Sequence, residues 1–243
     1  MPKYSIIIPA YNEGARLGAA LDSVLSHVAA SNWDADVIVV DDGSRDNTAE
    51  LVRSRALLNP RLRLLENPGN HGKGYSVRNG MLNAQGEILL FTDADLSAPI
   101  EQASKLFAAV ESGADVAIGS RWLQPETQTH RQSLLRQFYG RTFNLLLQIL
   151  LGLKFKDTQC GFKAFNRAAA QKLFSMQTID GWGFDAELLF LACKLRLRVE
   201  EVPVLWSDVA GTRIHPLRDG LRMIGEILLI RRNTLAGRYA IKT

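Results

Sequence analysis

Across the first 120 residues, short continuous apolar runs alternate with segments of helical spacing, and that alternation leaves few folds open. The runs Tyr4–Pro9, Asp36–Val40, Leu62–Glu66, Glu87–Thr92 and Ala114–Gly119 are branched and uninterrupted, as strands buried on both faces are. Between them, Glu13–Ala30, Asp46–Leu58, Gly74–Ala84 and Pro99–Ser112 carry helical periodicity. Asp46 and Asn47 stand where they can cap the second helix, and Pro99 where it can begin the fourth. The pattern predicts an α/β fold, a mostly parallel sheet flanked by helices. In such sheets ligands bind beyond the carboxyl ends of the strands, so chemistry is to be sought there.

The second half is less regular. Arg131–Leu153 has a long helical pattern in which Arg131, Arg136 and Arg141 interleave with leucines and aromatics. Gly161–Asn166 predicts a strand, Arg167–Phe174 and Phe184–Leu195 helices, Val199–Leu205 a strand, and Pro216–Leu235 a basic amphipathic helix. No repeat or linker-like tract breaks the 243 residues, which predicts one domain over 1–243. A composition 47% hydrophobic and 22% charged excludes disorder. The net charge of +4 is too small an excess to indicate a nucleic-acid binder; it suits anionic small molecules or an anionic lipid surface. Two cysteines, Cys160 and Cys193, point to a reduced, cytoplasmic setting rather than a disulfide scaffold. The chain enters an apolar strand with no signal peptide before it. Its greasiest stretch, Phe143–Leu153, is about half the roughly 20 residues a membrane-spanning helix needs.

Four polar clusters fall at predicted strand ends: Pro9 to Glu13, Asp41 to Ser44, Asn67 to Gly74 and Asp93 to Asp95. Asp93 and Asp95, at i and i+2, share a face if the strand stays extended. Two adjacent carboxylates repel unless a cation screens them, and hard oxygens favour Mg²⁺ or Mn²⁺ shared with substrate phosphates; a solvated turn is the alternative. Asp41 and Asp42 read either as a turn or as acceptors for a base or ribose. Lys73 between glycines reads either as a surface loop or as a point charge near a diphosphate. No phosphate-binding Gly-x-x-x-x-Gly-Lys and no Gly-x-Gly-x-x-Gly follows the first strand, which disfavours P-loop NTPases and dinucleotide dehydrogenases. The histidines His27, His71, His130 and His215 lack metal spacing and there is no Gly-x-Ser-x-Gly, so zinc and serine hydrolases drop out.

The segments IIIPAYNE, VVDDGSRDNT, GKGYSVRNG, TDADLSAP and AIGSR, in this order and spacing, resemble the family 2 glycosyltransferases of the Rossmann-like GT-A fold. GSRW at 119–122, Arg136 and Arg141, DTQCGFKAF at 157–165, WGFDAELL at 182–189 and VPVLW through Arg213 are similar to polyprenyl-phosphate hexosyltransferases. DTQCGFK with W-x-F-D-x-E resembles dolichyl-phosphate glucosyltransferases; DADLS and GSR are shared with dolichyl-phosphate mannose synthases. The resemblance implies that residues 1–120 bind the nucleotide sugar, UDP-glucose or GDP-mannose, and 121–243 the acceptor, a polyprenyl or dolichyl phosphate. Pro9, Tyr11, Glu13, Val40 and Asp42 would hold the nucleoside. Asp93, Ala94 and Asp95 would hold the metal and diphosphate. Arg121, Arg136, Arg141 and Arg213 would face acceptor or donor phosphates. Ser97 stands where mannose synthases have Gln, which leaves two protein ligands for the metal. The C-terminal transmembrane hairpin of some relatives has no counterpart.

Physically, the expected reaction is a single displacement that inverts the anomeric carbon, with Lys73 and Arg213 relieving charge on the leaving diphosphate. A phosphate acceptor already carries charge near −1.5 to −2 at pH 7, so Arg121 and Arg136 need only orient it. Asp185 is a candidate base or sugar ligand; Asp185 and Glu187 can equally charge the start of a helix. Arg131–Leu153 and Leu217–Tyr239 have apolar faces with arginines, suited to peripheral docking on the cytoplasmic face of a membrane, to core packing or to homo-oligomer contact. A soluble or glycan acceptor, and a non-catalytic nucleotide-sugar-binding protein, are the rival functions.

Overall fold

The computed structural model describes residues 1–124, 128–130, 144–207 and 216–240. Its elements follow the expected order: β1 (Tyr4–Ala10), α1 (Leu17–Ala30), β2 (Ala35–Asp41), α2 (Thr48–Ala56), β3 (Leu62–Glu66), α3 (Lys73–Asn83), β4 (Ile88–Thr92), α4 (Ala103–Glu111) and β5 (Val116–Ser120). A short β6 (Gln128–His130) and helical residues 144–151 (α5) come next. The chain continues through β7 (Phe162–Asn166), α6 (Arg167–Met176), α7 (Phe184–Lys194), β8 (Val199–Pro203), β9 (Trp206–Ser207) and α8 (Pro216–Leu235).

Seven strands form one sheet in the order β3-β2-β1-β4-β7-β5-β8, while β6 and β9 pair apart from it. All neighbours in the large sheet run parallel except β7, which is antiparallel to both β4 and β5. The strand order turns back on itself between β1 and β4, which opens a crevice at their carboxyl ends. The unbroken Ile6-Ile7-Ile8 run is needed because both faces are covered. Ile6 and Ile8 pack with α1 and α4, Ile7 with α3 and α7, and all three are fully buried. Each such side chain contributes roughly 1.5–3 kcal/mol. Helix α3 lies close on the sheet at Gly80, where a Cβ would stand 2.5 Å from Ile7 and 2.9 Å from Val40.

Two helix starts differ from the expectation, for a local reason. Helix α1 begins at Leu17 rather than Glu13, because the backbone before it is bonded to the β2–α2 connection. Asn12 N donates to Ser44 Oγ (2.8 Å), Glu13 N to Thr48 Oγ1 (2.8 Å) and Gly14 N to Asp46 Oδ2 (3.0 Å). Asp46 also accepts from Thr48 N, whereas Asn47, at the N-cap of α2, makes no capping bond with its side chain. The segment after Pro99 opens as a single 3₁₀ turn, Ile100–Gln102, before α4. Of the expected helix Arg131–Leu153, only the portion from 144 lies within the described residues. No helix among them is long and apolar enough to cross a membrane.

The two thiols sit in different surroundings. Cys160 is fully buried and Cys193 exposed. Burial, with Asp157 nearby, pushes the Cys160 thiol up to about 12. A native protein at pH 8 is therefore expected to release one equivalent with Ellman's reagent, from Cys193, and the second only on unfolding.

Candidate active site

The carboxyl ends of β1, β2, β3 and β4 carry the four polar clusters, and parallel topology brings them to one edge. The structure binds them to one another. Asp42, 3% exposed, accepts from Asn67 Nδ2 (2.8 Å), His71 N (3.0 Å) and Gly72 N (2.8 Å), so both its oxygens fold the β3–α3 loop. Gly43 (φ 70°) lets this loop approach, since a Cβ there would lie 2.5 Å from the Gly69 carbonyl carbon. Asp42, expected to face the nucleoside, braces the loop that forms the pocket wall. The neighbouring Asp41 holds Ser44 N with Oδ2 (3.1 Å), while its buried Oδ1 has no partner. A buried acceptor without a protein partner has room for a bond from water or from a ligand. Sequence reasoning named Asp41 and Asp42 together as possible acceptors, because nothing in the string separates the two.

Other nucleoside-site expectations divide in the same way. Val40 is fully buried in the core, against α3, and can offer a ligand only its backbone. Pro9 pairs with Val40 in register, and Tyr11 stands half-buried just beyond β1. Glu13 is 9% exposed and forms an ion pair with Arg16. Arg16 in turn feels the charges of Asp95 and Asp93, and its pKa is raised, chiefly by its bond to Glu13. Arg16 was not among the expected site residues.

Asp93 and Asp95 stand at the β4 end, beside the crevice. Asp95 Oδ1 accepts from Ser97 N (3.0 Å), and Leu96 N from the turn donates to Asp93 O (3.1 Å) with Leu96 at φ 48°. Ala94 between them is buried in the core. Lys73, the first residue of α3, places Nζ 2.5 Å from Asp93 Oδ1 and 5.2 Å from the centre of the Trp182 ring. Burial works against the Lys73 charge, but Asp93 and Asp185 outweigh it and the pKa is raised. Because β7 is antiparallel, its beginning lies beside the β4 end, with Phe162 opposite Thr92. That delivers Gly161 to Asp93: a Cβ at Gly161 would stand 2.2 Å from Asp93 Oδ2. Gly161→Ala is therefore expected to dislodge Asp93 and lower activity by ~10–100-fold with an unchanged far-UV circular dichroism spectrum.

Asp93 and Asp95 fit a divalent cation by their chemistry: two hard carboxylates, two residues apart, at the rim of the crevice. Among the described residues no group of three or more His, Cys, Asp or Glu side chains is gathered for a metal. Substrate phosphate and water would complete such a shell, as is usual for Mg²⁺.

The DTQCGFK segment is the frame of the far wall. Asp157, 1% exposed, takes both guanidinium arms of Arg121 (2.7 Å each) and its backbone N–H (3.0 Å). The Arg121 plane also faces Trp206, 5.0 Å from the ring centre. Arg121, expected to face the acceptor phosphate, is oriented by Asp157. Lys163 is fully buried on β7 and donates to Asp185 Oδ1 (2.5 Å) and Cys160 O (2.5 Å). Burial raises the Asp185 pKa, and Lys163 and Lys73 act against it. Glu187 accepts from Thr178 N, Ile179 N and Tyr239 Oη, which ties the chain's last turn to the loop before α7. Glu226 of α8 accepts from Gly183 N (2.6 Å), and a Cβ at Gly181 would lie 2.0 Å from its Oε1. Both glycines flanking Trp182 thus make room for this carboxylate. Arg136, Arg141 and Arg213 lie outside the described residues.

A parallel sheet with an antiparallel insertion, a switch-point crevice and an Asp-x-Asp at its rim define a nucleotide-sugar transferase of the GT-A type. Residues 5–174 match the model of Glycosyl transferase family 2, and the chain belongs to that family. A dolichyl-phosphate beta-glucosyltransferase of Trichomonas vaginalis is 35% identical over 98% of this chain and 73% of its own length. The Saccharomyces cerevisiae and Drosophila melanogaster proteins of that name are 35% and 36% identical, over 97% and 98% of the chain and 76% and 77% of their own lengths. Among solved structures, glucosyl-3-phosphoglycerate synthase from Mycobacterium tuberculosis, in complex with Mn²⁺, UDP and its product, superposes with a TM-score of 0.68. It shares 21% identity, covers all of this chain and 81% of its own, and shows the fold.

Proposed function

We propose that this protein transfers glucose from UDP-glucose to a polyprenyl phosphate, dolichyl phosphate among them, with inversion at the anomeric carbon. The observation that carries the reading is the Asp93–Asp95 pair, with Lys73 beside it, in a chain about a third identical to dolichyl-phosphate beta-glucosyltransferases. Mn²⁺ and UDP in the structural neighbour support the same donor chemistry. Mg²⁺ or Mn²⁺ at Asp93 and Asp95 would supply Lewis-acid relief of charge on the departing diphosphate. Asp41 Oδ1 offers the base an acceptor, and the loop shaped by Asp42 forms the wall beside it. Lys73 adds a positive charge where the leaving group gains a negative one. An acceptor phosphate oxygen attacks C1 of the sugar, the bond from C1 to the UDP oxygen breaks, and UDP leaves with the electron pair. The attacking phosphate is already anionic, so no base is required. Asp185, with one oxygen on Lys163, is suited to hold a sugar hydroxyl.

Residues 121–243 form the acceptor side in this reading, with Arg121, Arg136, Arg141 and Arg213 as phosphate ligands. The lipid tail calls for peripheral docking on a membrane. Helix α8 buries Ile227 and Ile230 but leaves Leu228 and Leu235 exposed beside Arg231 and Arg232. Helix α5 buries Leu147 while Leu145 and Ile149 are exposed. Each helix thus packs one face on the protein and presents another suited to anionic lipid.

The test incubates the protein with Mn²⁺ or Mg²⁺, a short polyprenyl phosphate and either labelled UDP-glucose or labelled GDP-mannose. Label enters the organic phase from UDP-glucose, EDTA abolishes it, and the C1 proton coupling of the product is that of a β-linkage. Label from GDP-mannose alone would replace the sugar. Donor binding with no lipid-phase label from either donor would defeat the lipid-phosphate reading and leave a soluble acceptor.

A further inference from the structure

We infer that Lys73 is a placeholder at the cation site: its ammonium neutralises Asp93 until a divalent cation enters together with a diphosphate, and then passes to the diphosphate. The protein consequently holds a free cation weakly and a cation–nucleotide pair tightly. This rests on Asp93 and Asp95 being the cation ligands, as proposed above.

The geometry supplies the reasons. Lys73 Nζ stands 2.5 Å from Asp93 Oδ1, and the two side chains are only 14% and 27% exposed. Lys73 already holds one oxygen of Asp93, and a dication arriving on the same carboxylate is repelled by the ammonium with little screening in a half-buried crevice. Lys73 therefore has to yield Asp93. The backbone on both sides of Lys73 is closely packed. Gly72 is held at φ 106° under Asp180, where a Cβ would lie 2.6 Å from the Asp180 carbonyl oxygen. Gly74 is wedged against Ile179 and Phe184, with a Cβ position 2.7 Å from each. Between these closely packed glycines the four-carbon lysine stem has the rotational freedom to turn.

Lys73 also has somewhere to go. Asp185 and Asp95 both act on its charge besides Asp93. The rings of Trp182 and Phe184 lie 5.2 and 5.9 Å from Nζ and form an aromatic bed for an ammonium. Trp182 is itself held in place by the glycines that receive Glu226. The ammonium thus stays charged and close to the crevice when it leaves Asp93, and an arriving diphosphate gives it a strong partner. Exchange of one anionic partner for another couples cation binding to nucleotide binding.

The test is Mn²⁺ binding, followed by the electron paramagnetic resonance signal of the free ion, for the intact protein and Lys73→Met, each with and without UDP. Lys73→Met is expected to bind Mn²⁺ alone ~10-fold more tightly than the unaltered protein. UDP should strengthen Mn²⁺ binding by a smaller factor in Lys73→Met, and calorimetry of UDP with and without Mn²⁺ should return the same factors, since coupling is reciprocal. Lys73→Gln carries the same comparison if Lys73→Met fails to fold. Equal or weaker binding of Mn²⁺ alone by the variants overturns the placeholder; the cation reading survives that result if Asp95→Ala still abolishes Mn²⁺ binding in the presence of UDP. Failure of the unaltered protein to bind Mn²⁺ even with UDP overturns both.

Discussion

Asp95→Ala lowers label transfer to the lipid phase by roughly 10³-fold, the size of effect that follows the loss of one strong stabiliser of developing charge. The change leaves the fold intact, because Asp95 lies at the rim and its hydrogen bond among the described residues is from Ser97 N in a local turn. Its measured signature is therefore a normal melting temperature with a collapsed kcat. UDP binding in the absence of metal should persist, since the base contacts are assigned to the β1 and β2 ends rather than to β4. A variant retaining more than a tenth of the activity would remove Asp95 from the reaction.

The second large effect is on stability. Asp157→Ala takes two carboxylate bonds from the Arg121 guanidinium and one from its backbone N–H. Removing one member of a buried pair costs about 3–5 kcal/mol. For a chain of this size that is a fall in Tm of roughly 6–20 °C. The pH dependence has a definite sign. Burial works to raise the Asp157 pKa, but the Arg121 charge and its hydrogen bonds outweigh it and hold the group below the usual carboxylate range. Its contribution is complete above the unfolded carboxylate pKa of about 4 and is lost as pH falls through the lower native value, because the unfolded chain then binds the extra proton. Asp157→Asn should flatten this part of the acid-unfolding profile, monitored by circular dichroism.

Much of this molecule was legible beforehand. The apolar runs located the seven strands of the main sheet to within two residues at nearly every end, because strands covered on both faces must be continuously apolar. The four polar clusters were expected at one edge, and parallel topology places them there. The Asp93–Asp95 pair stood out for the same reason: charge directly after a buried strand has few structural uses. The DTQCGFK and WGFDAE segments were readable as a signature, though not for what their residues touch.

What each side chain does was decided by contacts between distant parts of the chain. Asp41 and Asp42 are neighbours in the string, yet Asp42 accepts from Asn67, His71 and Gly72, while Asp41 keeps an unpartnered oxygen. The carboxylate that orients Arg121 is Asp157, 36 residues on. The antiparallel β7 put Gly161 against Asp93 and Lys163 against Asp185, and no periodicity records strand direction. The sequence by itself determined the layers and the edge on which chemistry gathers, since these follow from local polarity and spacing. Only tertiary structure decided which charges are satisfied within the protein and which are left for a ligand, because a charge's partner is set by proximity in space.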